Sequence, residues 1–214
     1  MALIINEIFH SIQGESTFAG RPCTFVRLTG CNLRCTYCDT RYAWSEGQAM
    51  ALNRIVDRVA AFGCRLVEIT GGEPLFQPDT VRLVETLIEK GYRVLMETNG
   101  SFDIGTLDPA CVKILDIKCP DSGEAARCDL DNLDRVSPAD QIKFVISSRG
   151  DYTYAKKIMR RIPARVPHGN VLFSPVLDKL SDQDLAGWIL ADRLEARLQL
   201  QLHKIIWPEV ERGV

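Results

Sequence analysis

Cys31, Cys35 and Cys38 stand in the spacing C-x3-C-x2-C, three thiols within eight residues. Packing gives no reason to crowd thiols on one loop, whereas a metal centre does. Their number narrows the chemistry. Four cysteines would close a tetrahedral zinc site or occupy every iron of a cubane, but three on a [4Fe–4S] cluster leave one iron open to a non-protein ligand. The rival is a zinc knuckle that borrows a fourth ligand. His168 and His203 could serve it, yet no spacing puts either beside the cysteines. A second group runs through Thr70, Gly71, Gly72, Glu73 and Pro74. Paired glycines let the main chain approach a ligand closely, and Glu73 is a charge-matched acceptor for an ammonium group. Glu97 and Asn99 lie in a further polar turn, with side chains suited to hydroxyls or a carboxylate, and Lys118, Cys119 and Pro120 form another.

These groups must be positioned by strands and helices. Alternating and apolar runs predict strands over 4–9, 24–29, 66–69, 92–96, 112–117, 141–146, 171–174 and 198–202. Helical patterns fall over 53–62, 79–90, 151–161 and 183–193. The polar groups sit where strands end, and the 4–9 and 24–29 strands are expected to bring their loops to one site. Strands alternating with helices, with the informative residues at carboxyl ends, predict an α/β fold: a parallel barrel or open sheet. The segment 120–138, rich in Asp, Ser and Gly, reads as loop with a short helix. Residues 1–214 are expected to form a single domain.

Composition limits the function further. With 26 Lys and Arg against 28 Asp and Glu, the net charge is −2, which offers no electrostatic case for nucleic acid or an acidic membrane as partner. A small-molecule substrate is expected. The start has no basic segment followed by a long apolar run, and no later stretch reaches membrane-spanning length, so the chain is expected to be cytoplasmic. Thiols there stay reduced, favouring metal ligation for the clustered three. Cys23, Cys64, Cys111, Cys119 and Cys128 are expected as small buried side chains.

The cysteine loop, with the aromatic Tyr37 before the last cysteine, resembles the cluster motif of radical S-adenosylmethionine (SAM) enzymes, and the 70–74 turn resembles their GGEP segment. The resemblance implies a shortened, partial (β/α)6-type barrel. It also implies a [4Fe–4S] cluster on Cys31, Cys35 and Cys38, with SAM on the open iron. SAM would be held by Tyr37, Gly71, Gly72, Glu73, Glu97, Asn99, Lys118, Cys119 and Pro120.

Further stretches, 7–15, 20–27, 38–40 and 202–208, make nearly the whole chain similar to the 7-carboxy-7-deazaguanine synthase family. That resemblance implies conversion of 6-carboxy-5,6,7,8-tetrahydropterin to 7-carboxy-7-deazaguanine with loss of ammonia. This carbon–nitrogen lyase reaction serves the synthesis of queuosine, a tRNA modification, and related deazapurines. SAM would act as a regenerated catalyst, Mg²⁺ as a further cofactor, a low-potential donor such as flavodoxin as reductant, and the assembly would be a homodimer. Carried over, Ile12, Gln13, Gly14, Glu15 and Thr70 are expected to contact the pterin, Arg27 its carboxylate, and Thr40 the Mg²⁺. The tail from about 203, with His203, Lys204 and Trp207, is expected to cover the site or the dimer seam. Two rivals remain at this stage: a glycyl-radical activase acting on a partner protein, and a zinc-binding scaffold.

Overall fold

The chain curls one mixed sheet into an incomplete barrel, seen in a computed structural model that describes residues 1–214. The strands, in chain order, are β1 (Ala2–Ile12), β2 (Pro22–Leu28), β3 (Gln48–Ala51), β4 (Leu66–Gly71), β5 (Arg93–Thr98), β6 (Val112–Asp116), β7 (Gln141–Ile146), β8 (Val171–Pro175) and β9 (Arg197–Leu198). Their spatial order is β3-β1-β2-β4-β5-β6-β7-β8-β9. From β2 onward every neighbouring pair is parallel. β1 runs antiparallel to both β2 and β3.

Period-two alternation separates the sheet's two faces. On the outer face Val26, Val67, Ile69, Val94, Met96, Leu115, Ile142, Phe144 and Phe173 join one large apolar core. The helices α1 (Leu52–Ala61), α2 (Thr80–Glu89), α3 (Arg149–Met159) and α4 (Asp182–Ala191) contribute Ile55, Leu83, Ala155 and Leu185 to it. On the inner face Phe9, Cys23, Phe25, Leu66, Leu95, Val112 and Ile114 make a separate, smaller apolar cluster. Phe9 and Phe25 stack there at 4.8 Å. One step further along the same strands the inner face turns polar, with Arg27, Glu68, Glu97, Asp116 and Lys143. A barrel interior filled at one end and charged at the other leaves its ligand site at the charged end.

Several expectations are corrected. β1 is antiparallel to β2, with Ile5 opposite Leu28 and Ile12 opposite Pro22. The 13–21 loop therefore lies at the opposite end of the sheet from the cysteines, and the two loops do not meet at neighbouring strand ends. Phe18 in that loop packs on the inner apolar cluster, making the loop a floor to the barrel. No α-helix follows β5 or β6, in line with the sequence pattern, which puts none there beyond a short one within 120–138; short 3-10 turns at Ile104–Thr106, Pro120–Ser122, Ala125–Arg127 and Leu130–Asp134 take their place. α3 and α4 begin earlier than the apolar pattern implied because Ser148 and Ser181 cap them, accepting from the Asp151 and Asp184 N–H groups. The strand expected over 198–202 stops at Leu198. Beyond it the Leu202 N–H is taken by the Gly14 carbonyl at 3.0 Å, and the chain turns into α5 (Leu202–Ile206).

Candidate active site

The cysteine loop leaves the carboxyl end of β2 and contains no helix or strand between Leu28 and the 3-10 turn Arg41–Trp44. Its backbone is held from outside: the Thr36 N–H donates to the Ser122 carbonyl at 3.0 Å, and the Gly30 N–H to the Ala43 carbonyl at 2.8 Å. Cys31, Cys35 and Cys38 are all free and half-buried. Burial pushes the Cys31 thiol up and Cys35 up to about 11, so ligation must displace their protons. No three His, Cys, Asp or Glu side chains converge closely enough to hold a single ion. Three cysteines on one loop at the end of β2 are a donor set that suits a cluster with one iron left open. His168 is engaged elsewhere, its Nδ1 lying 2.6 Å from Glu195.

The β4 turn presses against this loop. A Cβ on Gly72 would stand 2.2 Å from the Gly30 carbonyl oxygen, and one on Gly71, at φ +143°, 2.2 Å from the Leu28 oxygen. Only glycine lets the two backbones come this close. Glu73 differs from expectation. Its carboxylate is fully buried and accepts from the Leu75 N–H (3.0 Å), the Thr98 hydroxyl (2.8 Å) and the Asn99 N–H (2.7 Å). It ties the β4 turn to the end of β5. Asn99 in turn reaches the cysteine loop, its Nδ2 3.9 Å from the Cys31 sulfur and 3.1 Å from Asn32 Oδ1. The Tyr37 hydroxyl donates to the Val145 carbonyl at 3.4 Å. Cys119 belongs to the outer apolar core, while Pro120 is exposed at the start of its 3-10 turn.

Behind the loop lies a buried charge network. Lys143 Nζ meets Glu15 at 2.9 Å, Asp116 at 3.5 Å and Glu97 in a close contact. Lys118 Nζ donates to Asp116 at 2.8 Å. Burial would raise the Glu15 carboxyl, but Lys143 and its neighbours His203 and Gln201 hold it down at about 2. Gln13 is buried; its Nε2 donates to Glu68 and its Oε1 accepts from the Glu15 N–H at 3.0 Å. The network thus joins the floor loop (Gln13, Glu15) to the strand ends beneath the cysteines (Glu97, Lys118). Glu68 and Asp116 fall in no motif of the sequence, whereas Lys143 stands in a strand read as bordering the site face. A charged residue at an inward position of an otherwise apolar strand was the signal available. Within the network, Asp116 Oδ1 is buried without a protein partner.

Glu68 gives a pH test. Burial first, then Glu97 and Glu15, push its carboxyl up to about 8. The folded chain therefore binds this proton more tightly than the unfolded one. Its contribution to stability is complete below pH about 4.5 and is lost as pH rises through about 8. We expect Glu68→Gln to flatten the fall in thermal midpoint over that window; an unchanged pH slope in melting curves would refute the assignment.

Arg27 stands near the carboxyl end of β2, opposite Thr70 of β4, and Thr40 at the end of the cysteine loop. Arg27 Nε donates to Glu7 at 2.7 Å, and the guanidinium lies over Phe9 (5.6 Å) and Tyr42 (5.9 Å). The Thr40 hydroxyl donates to Asp39 Oδ1 at 3.0 Å, and Asp39 pairs with Lys204 at 2.6 Å. Ile12 ends β1, half-buried, and Thr70 lies buried within β4. The tail crosses the gap between β9 and the floor loop. Gln201 Nε2 donates to Glu15 at 2.7 Å, and the His203 ring sits against Gly14, where a Cβ would come 2.2 Å from Nδ1. Beside the tail a cleft of about 440 Å³ opens, lined by Leu177, Lys179, Leu200, Gln201 and Lys204.

A three-cysteine loop over the charged mouth of a partial parallel barrel defines a radical SAM protein. Residues 25–189 match the Radical SAM superfamily. The chain is 44% identical to the 7-carboxy-7-deazaguanine synthase of Koribacter versatilis, covering 98% of this chain and 99% of that one. It is likewise 44% identical to the synthase of that name from Chlorobaculum tepidum, over 99% and 97%. The fold matches the crystal structure of QueE from Escherichia coli with a TM-score of 0.74 at 22% identity, over 94% of each chain. The chain belongs to the 7-carboxy-7-deazaguanine synthase family. It is a radical SAM enzyme, and the rival scaffold and activase readings fall away.

Proposed function

We propose that this barrel binds 6-carboxy-5,6,7,8-tetrahydropterin beneath SAM and contracts its ring to 7-carboxy-7-deazaguanine with release of ammonia, on a route to queuosine or a related deazapurine. The observation that carries the reading is the buried network through Lys143, which links the floor loop to the strand ends under the cysteines. When bound, the reduced cluster and SAM supply hydrogen-atom abstraction at carbon. The protein's share is to bind, orient and exclude.

Cys31, Cys35 and Cys38 would hold the cluster. SAM would lie along the Gly71–Gly72 backbone, with Tyr37, Asn99, Glu97 and Lys118 around it. Glu73 acts by fixing that turn, and Cys119 and Pro120 by shaping the one after β6. For the pterin, the carboxylate would pair with the Nη groups of Arg27, since only Nε has a protein partner. Glu15, the 12–14 backbone and Thr70 would meet the ring edge. Gln13 is engaged with Glu68 and Glu15, so its role is to hold that loop in shape. Thr40, with substrate oxygens and water, would hold Mg²⁺ as a hard oxygen ligand. Omitting Mg²⁺ is expected to raise the KM for the pterin without changing cluster content; a metal-independent KM would remove Thr40 from this role.

The tail contacts support its role as a wall of the pocket, within a single domain. Gly14→Ala is expected to push His203 and the tail outward. Pterin affinity should then fall by about tenfold, roughly 1.4 kcal/mol, with iron content unchanged. Unaltered pterin binding by calorimetry would argue that the tail is a bystander. A low-potential donor such as flavodoxin and a homodimeric assembly complete the proposal, and no helix is long and apolar enough to cross a membrane. The deciding experiment is anaerobic incubation of reconstituted protein with the carboxytetrahydropterin, SAM and dithionite. The deazaguanine product is expected by mass, and an intact cluster without product would refute this substrate assignment.

A further inference from the structure

Two cations on the cysteine loop have no part in the pocket. Arg34 and Arg41 are exposed, and neither forms an ion pair with a carboxylate. Both turn back on the loop. Arg34 Nη1 donates to the carbonyls of Cys31 (2.8 Å) and Leu33 (2.7 Å), and Arg41 Nη2 to the carbonyl of Thr36 (3.0 Å). The two guanidinium groups share one platform, lying 4.6 and 5.9 Å from the centre of the Trp44 ring. An exposed arginine needs no such partners, because water satisfies it. Here two of them take up the unpaired carbonyls of a loop that lacks regular structure and carries three cysteines. Glu124 Oε1 accepts from the Arg34 backbone N–H at 2.7 Å, and its charge offsets part of theirs.

We propose that Arg34 and Arg41, clamped on Trp44, are positioning residues that fix the cluster loop and bias the cluster toward its reduced state. Reduction adds one negative charge to a centre already bearing three thiolates. Positive charges held within the same loop stabilise that state, and net charge is among the determinants of cluster potential. The proposal rests on the cluster reading above.

The test is a redox titration of the reconstituted protein, without SAM, followed by the paramagnetic signal of the reduced cluster, together with iron analysis. Arg34→Gln and Arg41→Gln are each expected to retain iron. Each should lower the ratio of reduced to oxidised cluster at a fixed potential by about threefold to tenfold. A tenfold change is about 59 mV for a one-electron couple. Arg34→Lys and Arg41→Lys, which keep the charge, should stay near the unsubstituted value. The unsubstituted protein should also lose potential on passing from dilute to molar salt, where screening acts over about 3 Å, and the doubly substituted Gln protein should not. Gln variants with full iron and an unshifted midpoint overturn the proposal. Should a Gln variant fail to hold iron, a salt-independent midpoint in the unsubstituted protein overturns it and a salt-dependent one supports it. An unsubstituted protein that binds no iron–sulfur cluster refutes the cluster reading itself.

Discussion

Cys35→Ser is expected to abolish turnover, by at least about a thousandfold, or roughly 4 kcal/mol of barrier, while leaving the fold intact. The two effects separate because of where the residue sits. The loop from Gly30 to Thr40 contributes no helix or strand, and none of its cysteines belongs to either apolar cluster. A hydroxyl in place of the thiol therefore removes a ligand without opening a cavity. The cluster supplies the hard step, so no other side chain can compensate. Iron and sulfide content should fall together with visible absorbance, and far-ultraviolet circular dichroism should be unchanged. Turnover within tenfold of the unsubstituted enzyme would disprove ligation by Cys35.

Lys143→Met should strike both stability and activity. Lys143 is 5% exposed and faces three carboxylates, Glu15, Glu97 and Asp116. Removing it leaves buried acids uncompensated, a change that typically costs about 3–5 kcal/mol. In a chain of this size each kcal/mol moves the thermal midpoint by about 2–4 °C, so a drop on the order of 10 °C is expected. The pH dependence identifies the cause. With Lys143 present Glu15 is held at about 2, so its contribution exists above pH about 4.5 and is lost as the pH falls through about 2. Without it the acids bind protons more readily when folded. The deficit should therefore shrink as pH falls toward 4.5. Melting curves across that range decide the matter, and a pH-independent deficit would point to packing alone. Glu97→Gln in the same protein should recover part of the loss, since the two sites couple.

Much of this was legible before any coordinates. The cysteine spacing stands on a loop, as a cluster motif must, and most predicted strands agree with those observed within two residues. Gly71 and Gly72 mark a close approach, here of the β4 turn to the backbone of the cysteine loop. The failures share a cause. Periodicity states that 4–9 is a strand but not which way it runs beside its neighbour, so the floor loop was placed at the wrong end of the sheet. It cannot show that a carboxylate such as Glu73 will find three internal donors, which depend on β5 being adjacent. The 198–202 strand is overstated for the same reason: pairing ends at Leu198, and the Leu202 N–H goes instead to the carbonyl of Gly14, far away in sequence. Glu68 and Lys143 were visible as charges in buried strands, but only the barrel's curvature brings them inward to one place.

The supports of the cysteine loop carry a consequence for how the protein comes to be made. The cysteines emerge early in synthesis, yet the groups that shape their loop emerge late: Ser122, Glu124 ninety residues after Arg34, and Lys204, which is 165 residues beyond Asp39. Translation adds about 5–20 residues per second, so the thiols pass several seconds on the ribosome without their scaffold. The cysteine loop therefore takes its full set of supports only once Lys204 has emerged, long after its thiols.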